Sequence, residues 1–147
     1  MIEFVVAGIP LLLLLLTTVQ LSLLWIGKSA VDTAAHLAAR KFARAARSNF
    51  PKAREAAFAE ALRNCRSRPD ASLGTVSMTT LDIRTERNGR VAAAFAGEAL
   101  RLRLTHGVEL VVPWVNRILF LLSPGEKLKL GNRYYLLLQS ERWVTVE

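Results

Sequence analysis

The sequence has little of what disulfide bonding, metal binding or catalysis requires. It contains one cysteine, Cys65, which excludes an intrachain disulfide, and it has no CxxC or Cys/His metal-ligand spacing. The spacings typical of a Ser/His/Asp triad, paired catalytic carboxylates, an HExxH zinc motif or a glycine-rich phosphate loop are also missing. These absences predict a protein that is not an enzyme and that uses no cofactor and no metal.

Charge is missing from one long stretch near the N-terminus. No ionisable side chain occurs from Phe4 to Gly27. A helix of this length spans about 36 Å at about 1.5 Å per residue, which exceeds the hydrocarbon core of about 30 Å. A cleaved secretory signal has a basic start and a shorter apolar part, and this stretch has neither. We therefore predict a transmembrane helix over residues 1–27, in contact with the phospholipid bilayer.

A few polar or helix-breaking residues interrupt this apolar stretch. Pro10 lies near its start and lacks a backbone N–H. In lipid, hydroxyl and amide side chains bond either to a neighbouring helix, for about 0.6 to 2 kcal/mol each, or back to their own backbone. We expect back-bonding for Thr17, Thr18 and Ser22. Gln20 is the better candidate for contact with a partner.

Acidic residues are also scarce, and basic ones follow the apolar stretch. Twenty Lys and Arg against twelve Asp and Glu give a net charge of +8, which favours an anionic neighbour. The predicted basic face, for lipid headgroups or a protein partner, consists of Lys28, Arg40, Lys41, Arg44 and Arg47. Nucleic acid is disfavoured because no aromatic residues alternate with these cations. The positive-inside rule applied to these residues alone places the C-terminal side in the cytoplasm.

The apolar periodicity changes from that of a helix to that of a strand along the chain. Residues 28–65 have apolar residues at three-to-four spacing and form a predicted amphipathic helical region, with Pro51 in the first turn of a second helix. Residues 66–74 are rich in Pro, Gly and Ser, which predicts a loop. Residues 75–147 alternate apolar and polar residues, as an antiparallel β domain does. The predicted fold class is α+β, in which a single N-terminal transmembrane helix continues into an amphipathic helix packed on a C-terminal antiparallel sheet.

Two stretches of the β domain carry more specific expectations. The Asn-Gly pair at residues 88–89 predicts a hairpin turn, and its return strand would contain Val91, Ala93 and Phe95. The apolar stretch from Trp114 to Leu122 is too short to span a bilayer. It fits a strand, a core helix or a helix at the membrane surface, and we favour packing within the domain.

About 45 N-terminal residues resemble a known family. The segments "IEF", a nearby proline with polyleucine, and "VQLSLLWIGKSAVDTAAHLAAR" are similar to the TadE-like pseudopilins of bacterial tight-adherence (Flp) pilus systems. The matching positions are Glu3, Phe4, Pro10, Gln20, Trp25, Lys28, Ala38, Ala39 and Arg40. The stretch from Leu100 to Arg117 also resembles a late strand of that family, so the resemblance implies a pilin-like fold.

The resemblance implies a minor pseudopilin-like subunit that helps to assemble or prime a tight-adherence pilus. The implied partners are the major pilin, other minor pseudopilins, the inner-membrane assembly platform and the prepilin peptidase, which would process the precursor. Glu3, Phe4, Pro10 and Gln20 would be the assembly contacts. In such proteins the peptidase cuts after the glycine that ends a short basic leader, so the natural chain is expected to begin upstream of Met1.

The resemblance also implies the opposite orientation in the membrane. A basic leader in the cytoplasm would leave the C-terminal domain in the periplasm, with the helix in the inner membrane and the subunit able to enter an extracellular pilus. A function of another class stays open, namely a membrane-tethered basic binding module for anionic lipid or DNA.

Overall fold

The structure is a computed structural model that describes residues 2–66, 75, 77–85, 89, 91 and 93–146, without the side chains of residues 2–5. The chain forms the helices α1 (Ile2–Ala45), α2 (Phe50–Arg66) and α3 (Val115–Leu122). It forms the strands β1 (Thr80–Thr85), β2 (Ala99–Glu109), β3 (Lys127–Leu130) and β4 (Arg133–Thr145). The predicted α+β class is therefore confirmed.

The helix α1 is continuous over 44 residues, and its two halves have different surroundings. Its N-terminal half is apolar on all sides, whereas its C-terminal half buries one stripe against the rest of the chain. The predicted stripe is confirmed, with full burial of Val31, Ala34, Ala35, Ala38 and Phe42. Residues spaced three or four apart lie on one face of a helix, so this face seats both α2 and the sheet.

The helix α2 folds back on α1 after a short turn. Asn49 caps it, since its Oδ1 accepts a hydrogen bond from the Lys52 N–H at 3.0 Å, and Pro51 lies in the first turn as predicted. The buried side of α2 consists of Ala53, Ala57, Ala61 and Cys65. Small side chains at every fourth position allow the two helices to pack closely.

The sheet has the strand order β1-β2-β4-β3, and every pair is antiparallel. Leu100, Leu102 and Leu104 are fully buried in the core that α1 and α2 cover. Arg101 and Arg103 alternate with them and reach Glu141 on β4, with 2.6 Å from the Arg103 Nε to the Glu141 Oε1. The sheet therefore has one covered and one wet face, as the alternation predicts.

The predicted hairpin is wrong in its pairing. Asn88 lies outside the described residues, but Val91 and residues 93–95 do not form a strand. The partner of β1 is β2, which places Leu81 opposite Leu104 and Ile83 opposite Leu102. An alanine-rich return strand has a low preference for sheet, whereas β2 offers a full row of leucines.

We expect the contact between α1 and α2 to dominate the stability of the domain. Phe42 is fully buried and meets Phe50 edge to face, with 5.5 Å between the ring centroids. Phe42→Ala should lower the free energy of unfolding by about 3 to 5 kcal/mol because it removes a packed ring. Phe95→Ala is the matched control, since Phe95 is 74% exposed and its loss should change stability by about 0.5 kcal/mol or less. Denaturant unfolding in detergent measures both, and equal effects would contradict the packing.

Candidate membrane and partner interface

The N-terminal half of α1 is an apolar helix that the rest of the chain leaves uncovered. Its most apolar 18-residue window has a mean hydropathy of 2.2, and only 6% of that window is buried. A core helix of a soluble protein would be mostly buried, whereas Leu11 and Leu14 are 72% and 68% exposed. By length and composition, α1 is able to span a membrane.

The hydroxyl groups of this half bond back to the helix itself. Thr17 Oγ1 donates to the Leu13 carbonyl at 2.7 Å, and Thr18 Oγ1 donates to the Leu14 carbonyl at 2.9 Å. Ser22 Oγ donates to the Thr18 carbonyl at 2.9 Å. The expectation of back-bonding is confirmed, and these hydroxyls are compatible with lipid without a partner.

The predicted contacts at the start of α1 are only partly visible. The backbones of Glu3 and Phe4 belong to α1, but their side chains lie outside the described residues. Pro10 is exposed within the helix and removes the N–H that would bond to the Val6 carbonyl. That carbonyl needs another donor in a membrane or a helix bundle.

Gln20 marks the point where α1 meets its own domain. Its side chain is fully buried, and Oε1 accepts a hydrogen bond from the Val112 N–H at 2.8 Å. Its Nε2 has no hydrogen-bond partner among the described residues. The predicted contact of Gln20 with another subunit stays a prediction, but its acceptor already serves an internal contact that sequence reasoning missed.

Lys28 forms a second polar link, about 12 Å further along the helix at 1.5 Å per residue. Its Nζ donates to the Gln139 carbonyl of β4 at 2.5 Å and to Asp32 Oδ1 at 3.1 Å. Burial works to raise the pKa of Asp32, but hydrogen bonds from Ser140 and Lys28 and the positive charge of Lys28 outweigh it, so the net pKa lies below 3.8. Lys28 thus fixes the sheet against α1.

Of the remaining cations of the predicted basic face, Lys41 contacts α2 and the three arginines are exposed. Lys41 Nζ donates to Glu60 Oε2 of α2 at 2.9 Å, and this hydrogen bond is the main cause of the lowered pKa of Glu60. Arg40, Arg44 and Arg47 are exposed. Arg40 lies about 20 Å beyond residue 27 along the helix, more than the screening length of about 8 Å at physiological salt. This distance favours a protein partner over lipid headgroups for the three arginines.

The stretch from Trp114 to Leu122, which we expect from its sequence to pack within the domain, forms the helix α3 over Val115–Leu122. The stretch is helical, but Val115 alone in it is buried. The prediction of packing is therefore wrong for most of its apolar side chains: Trp114, Ile118, Leu121 and Leu122 are exposed. The spacing of Ile118, Leu121 and Leu122 places these three on one face of α3, a signal that the sequence already contains, and Trp114 directly precedes the helix.

The part of the chain that the structure describes has an open groove but no candidate metal-ion cluster. Those residues contain no group of three or more His, Cys, Asp or Glu side chains able to hold a metal ion. An open groove of about 630 Å³ lies between α2 and β1, with a lining that includes Phe50, Phe58, Leu81 and Val91.

We expect Gln20→Leu to loosen the domain from α1 without unfolding it. The substitution leaves the buried Val112 N–H without its acceptor, and an unsatisfied buried donor costs about 1 to 3 kcal/mol of stability. The Val112 amide should therefore exchange with solvent about 5- to 150-fold faster. The Leu110 amide, which bonds to the Tyr134 carbonyl at 2.8 Å, is the internal reference. Thr18→Val is the matched control on the exposed side of α1. Unchanged exchange at Val112 would show that Gln20 does not hold this contact.

Acid should weaken the attachment of the sheet to α1. The pKa of Asp32 lies below 3.8 in the folded chain, so its contribution is present above 3.8 and is lost as the pH falls through the folded value. Glu141, whose pKa is lowered chiefly by Arg101, acts in the same direction. Thermal unfolding from pH 6 down to about pH 2.5 should show this loss, and Asp32→Asn should make it smaller. An equal loss of stability in Asp32→Asn would contradict the assignment.

Comparison with known proteins connects the first part of α1 to a family. The family model described as TadE-like protein matches residues 1–40. No curated protein and no solved structure matches the chain. The resemblance from Leu100 to Arg117 lies outside the matched residues and stays a prediction. The match confirms the resemblance of the N-terminal segment, and residues 1–40 are consistent with the TadE-like family of tight-adherence pilus systems.

Proposed function

We propose that the protein is a minor pseudopilin-like subunit that helps to assemble or prime a tight-adherence pilus. It performs no chemistry of its own and is a substrate of the prepilin peptidase in its precursor form. Its partners are the major pilin, other minor pseudopilins and the inner-membrane assembly platform. The observation that carries the proposal is the uncovered apolar half of α1, within a segment that matches the TadE-like family.

The shape of α1 supports this role. Before assembly, an uncovered apolar helix has to be surrounded by lipid. After assembly, neighbouring apolar helices provide an equally favourable environment, because transmembrane helices associate through side-chain packing and not through the hydrophobic effect. The domain covers only the other half of α1. The same helix is therefore able to pass from the inner membrane into a helix bundle without any change in the domain.

Glu3 is proposed as the residue that sets the register of assembly. At a bilayer edge this carboxylate would only favour the helix N-terminus, by about 0.3 to 1 kcal/mol. Within a bundle of apolar helices an unpaired charge costs several kcal/mol, and the amino terminus of a neighbouring subunit would relieve it. Such a pair forms at only one axial offset between neighbouring helices.

The domain is proposed to face the periplasm and to present the partner contacts. Arg40, Arg44 and Arg47 are exposed and stand away from the proposed membrane surface, where they are available to an acidic protein face. The competing function, a membrane-tethered binding module, would use the same three arginines for DNA. Salt-sensitive DNA binding that is lost when all three are replaced by Gln would favour that alternative.

The proposal is tested on the full-length protein expressed from its native locus. The intact mass should fall to that of a processed chain when the prepilin peptidase is present and should stay that of the precursor when it is deleted. In the processed chain the residue that corresponds to Glu3 should be the fifth. An identical, unprocessed N-terminus in both strains would contradict the pseudopilin function.

The same strain tests the role of Glu3. Glu3→Ala should leave the protein in the membrane fraction and remove most surface pili, because the assembled helix loses its charge partner. Glu3→Asp should retain part of the assembly. Glu55→Ala, which removes an exposed carboxylate of α2, is the matched control and should assemble normally. Normal piliation in Glu3→Ala would contradict a register role for this residue.

A further inference from the structure

The exposed face of α3 lies beside the apolar half of α1. The two helices are in contact, and the Val112 N–H that precedes α3 bonds to Gln20 of α1. An apolar face in water would be unfavourable by about 25 cal/mol for each Å² that it exposes. These contacts bring the start of α3 beside the apolar half of α1.

The length of the uncovered helix places α3 near the membrane surface. Residues 4–19, the uncharged part of α1 before its contact with the domain, span about 24 Å at about 1.5 Å each, which leaves about 6 Å of a hydrocarbon core of about 30 Å. The remaining distance of about 6 Å corresponds to about four residues after Gln20. Trp25 and Ile26, which are 78% and 56% exposed, follow these residues directly. Gln20 therefore lies close to the boundary between the hydrocarbon core and the headgroups, and α3 starts at its level.

A strained turn presents the first aromatic ring of this face. Trp114 has φ 68° and ψ −52°, and the Val115 N–H donates to the Pro113 carbonyl at 2.8 Å across it. This is a γ-turn with positive φ, which is rare and strained for a residue with a side chain. The Trp114 side chain is nevertheless 75% exposed, so the turn is not held by burial of the ring. Tryptophan is enriched at the boundary between lipid and water.

Positive charge borders the apolar face. Arg117 is exposed on α3, and Lys129 is exposed on β3 with its Nζ 5.3 Å from the centroid of the Tyr134 ring. Lys127 Nζ donates to the Phe120 carbonyl at 2.8 Å and to the Ser123 carbonyl at 3.1 Å, which caps the C-terminal end of α3. An apolar face bordered by cations is the pattern of a helix that lies in a membrane interface.

We propose that α3 is a lipid-binding helix that lies in the headgroup region of the leaflet on the side of the domain. Its apolar contacts with lipid are Trp114, Ile118, Leu121 and Leu122, and Arg117 and Lys129 face the phosphates of anionic lipid. This inference rests on the span by α1 and does not depend on a role in a pilus. A second anchor would hold the domain in one orientation above the bilayer.

The test uses the full chain in vesicles of phosphatidylcholine and phosphatidylglycerol with brominated acyl chains, which quench tryptophan on contact. The chain offers a matched pair of probes, because Trp114 and Trp143 are 75% and 60% exposed. Trp143 lies ten residues beyond Arg133 on β4, about 33 Å along an extended strand and away from α3. One variant keeps Trp114 alone and another keeps Trp143 alone, with Phe at the other tryptophan positions.

Trp114 should lose most of its emission to lipid brominated near the glycerol end of the chain, and Trp143 should lose almost none. A third variant, with Phe at all three tryptophans and Leu13→Trp, reports the span through quenching by lipid brominated near the methyl end. Leu121→Asp in the background that keeps Trp114 should reduce the quenching by lifting α3. Phe95→Asp is its matched control, since Phe95 is equally exposed at 74% but lies elsewhere.

Each alternative result has a separate meaning. Weak quenching of Trp114 together with strong quenching of Leu13→Trp overturns lipid binding by α3 and leaves the span of α1 in place. Weak quenching of both overturns the span as well. Trp114 emission that shifts to the blue only at high protein-to-lipid ratio, without quenching, identifies another protein subunit as the occupant and also overturns the proposal.

Discussion

The helix α1 is apolar on all sides in its N-terminal half and on one face in its C-terminal half, so it needs two different apolar surroundings. Its C-terminal half receives one from the leucine row of β2 and the alanine face of α2. Its N-terminal half receives none from the described chain and requires lipid or other helices. Because the helix is continuous through both halves, the orientation of the domain is tied to the axis of the span.

The boundary between the two surroundings is held by polar groups. Gln20 accepts from the Val112 N–H, and Lys28 bridges the Asp32 carboxylate and the Gln139 carbonyl. Hydrogen bonds are directional, so they determine where along α1 the sheet docks, which apolar packing alone leaves open. The Nε2 of Gln20 is buried without a hydrogen-bond partner among the described residues. The boundary therefore contains a buried donor whose hydrogen bonding is unsatisfied.

Positive charges of the protein lie at two different distances from this boundary along α1. Arg117 and Lys129 border the exposed face of α3, near the level of Gln20. Arg40 follows Gln20 by about 30 Å of helix, which exceeds the screening length of about 8 Å at physiological salt. The net charge of +8 therefore includes two separate groups of basic residues, one near Gln20 and one near Arg40, and each group meets a different environment.

Periodicity in the sequence by itself determined the two halves of α1, the buried face of α2 and the alternation of Leu100 to Leu104, because side-chain direction follows directly from helix and strand geometry. Tertiary structure decided the features that depend on choosing between distant partners. The Asn-Gly signal at residues 88–89 is local and carries no information about β2, which competes for β1 with a longer row of large apolar side chains. Likewise, only the folded chain brings Val112 to Gln20 and leaves the apolar face of α3 uncovered, since burial depends on what the rest of the chain places opposite each face.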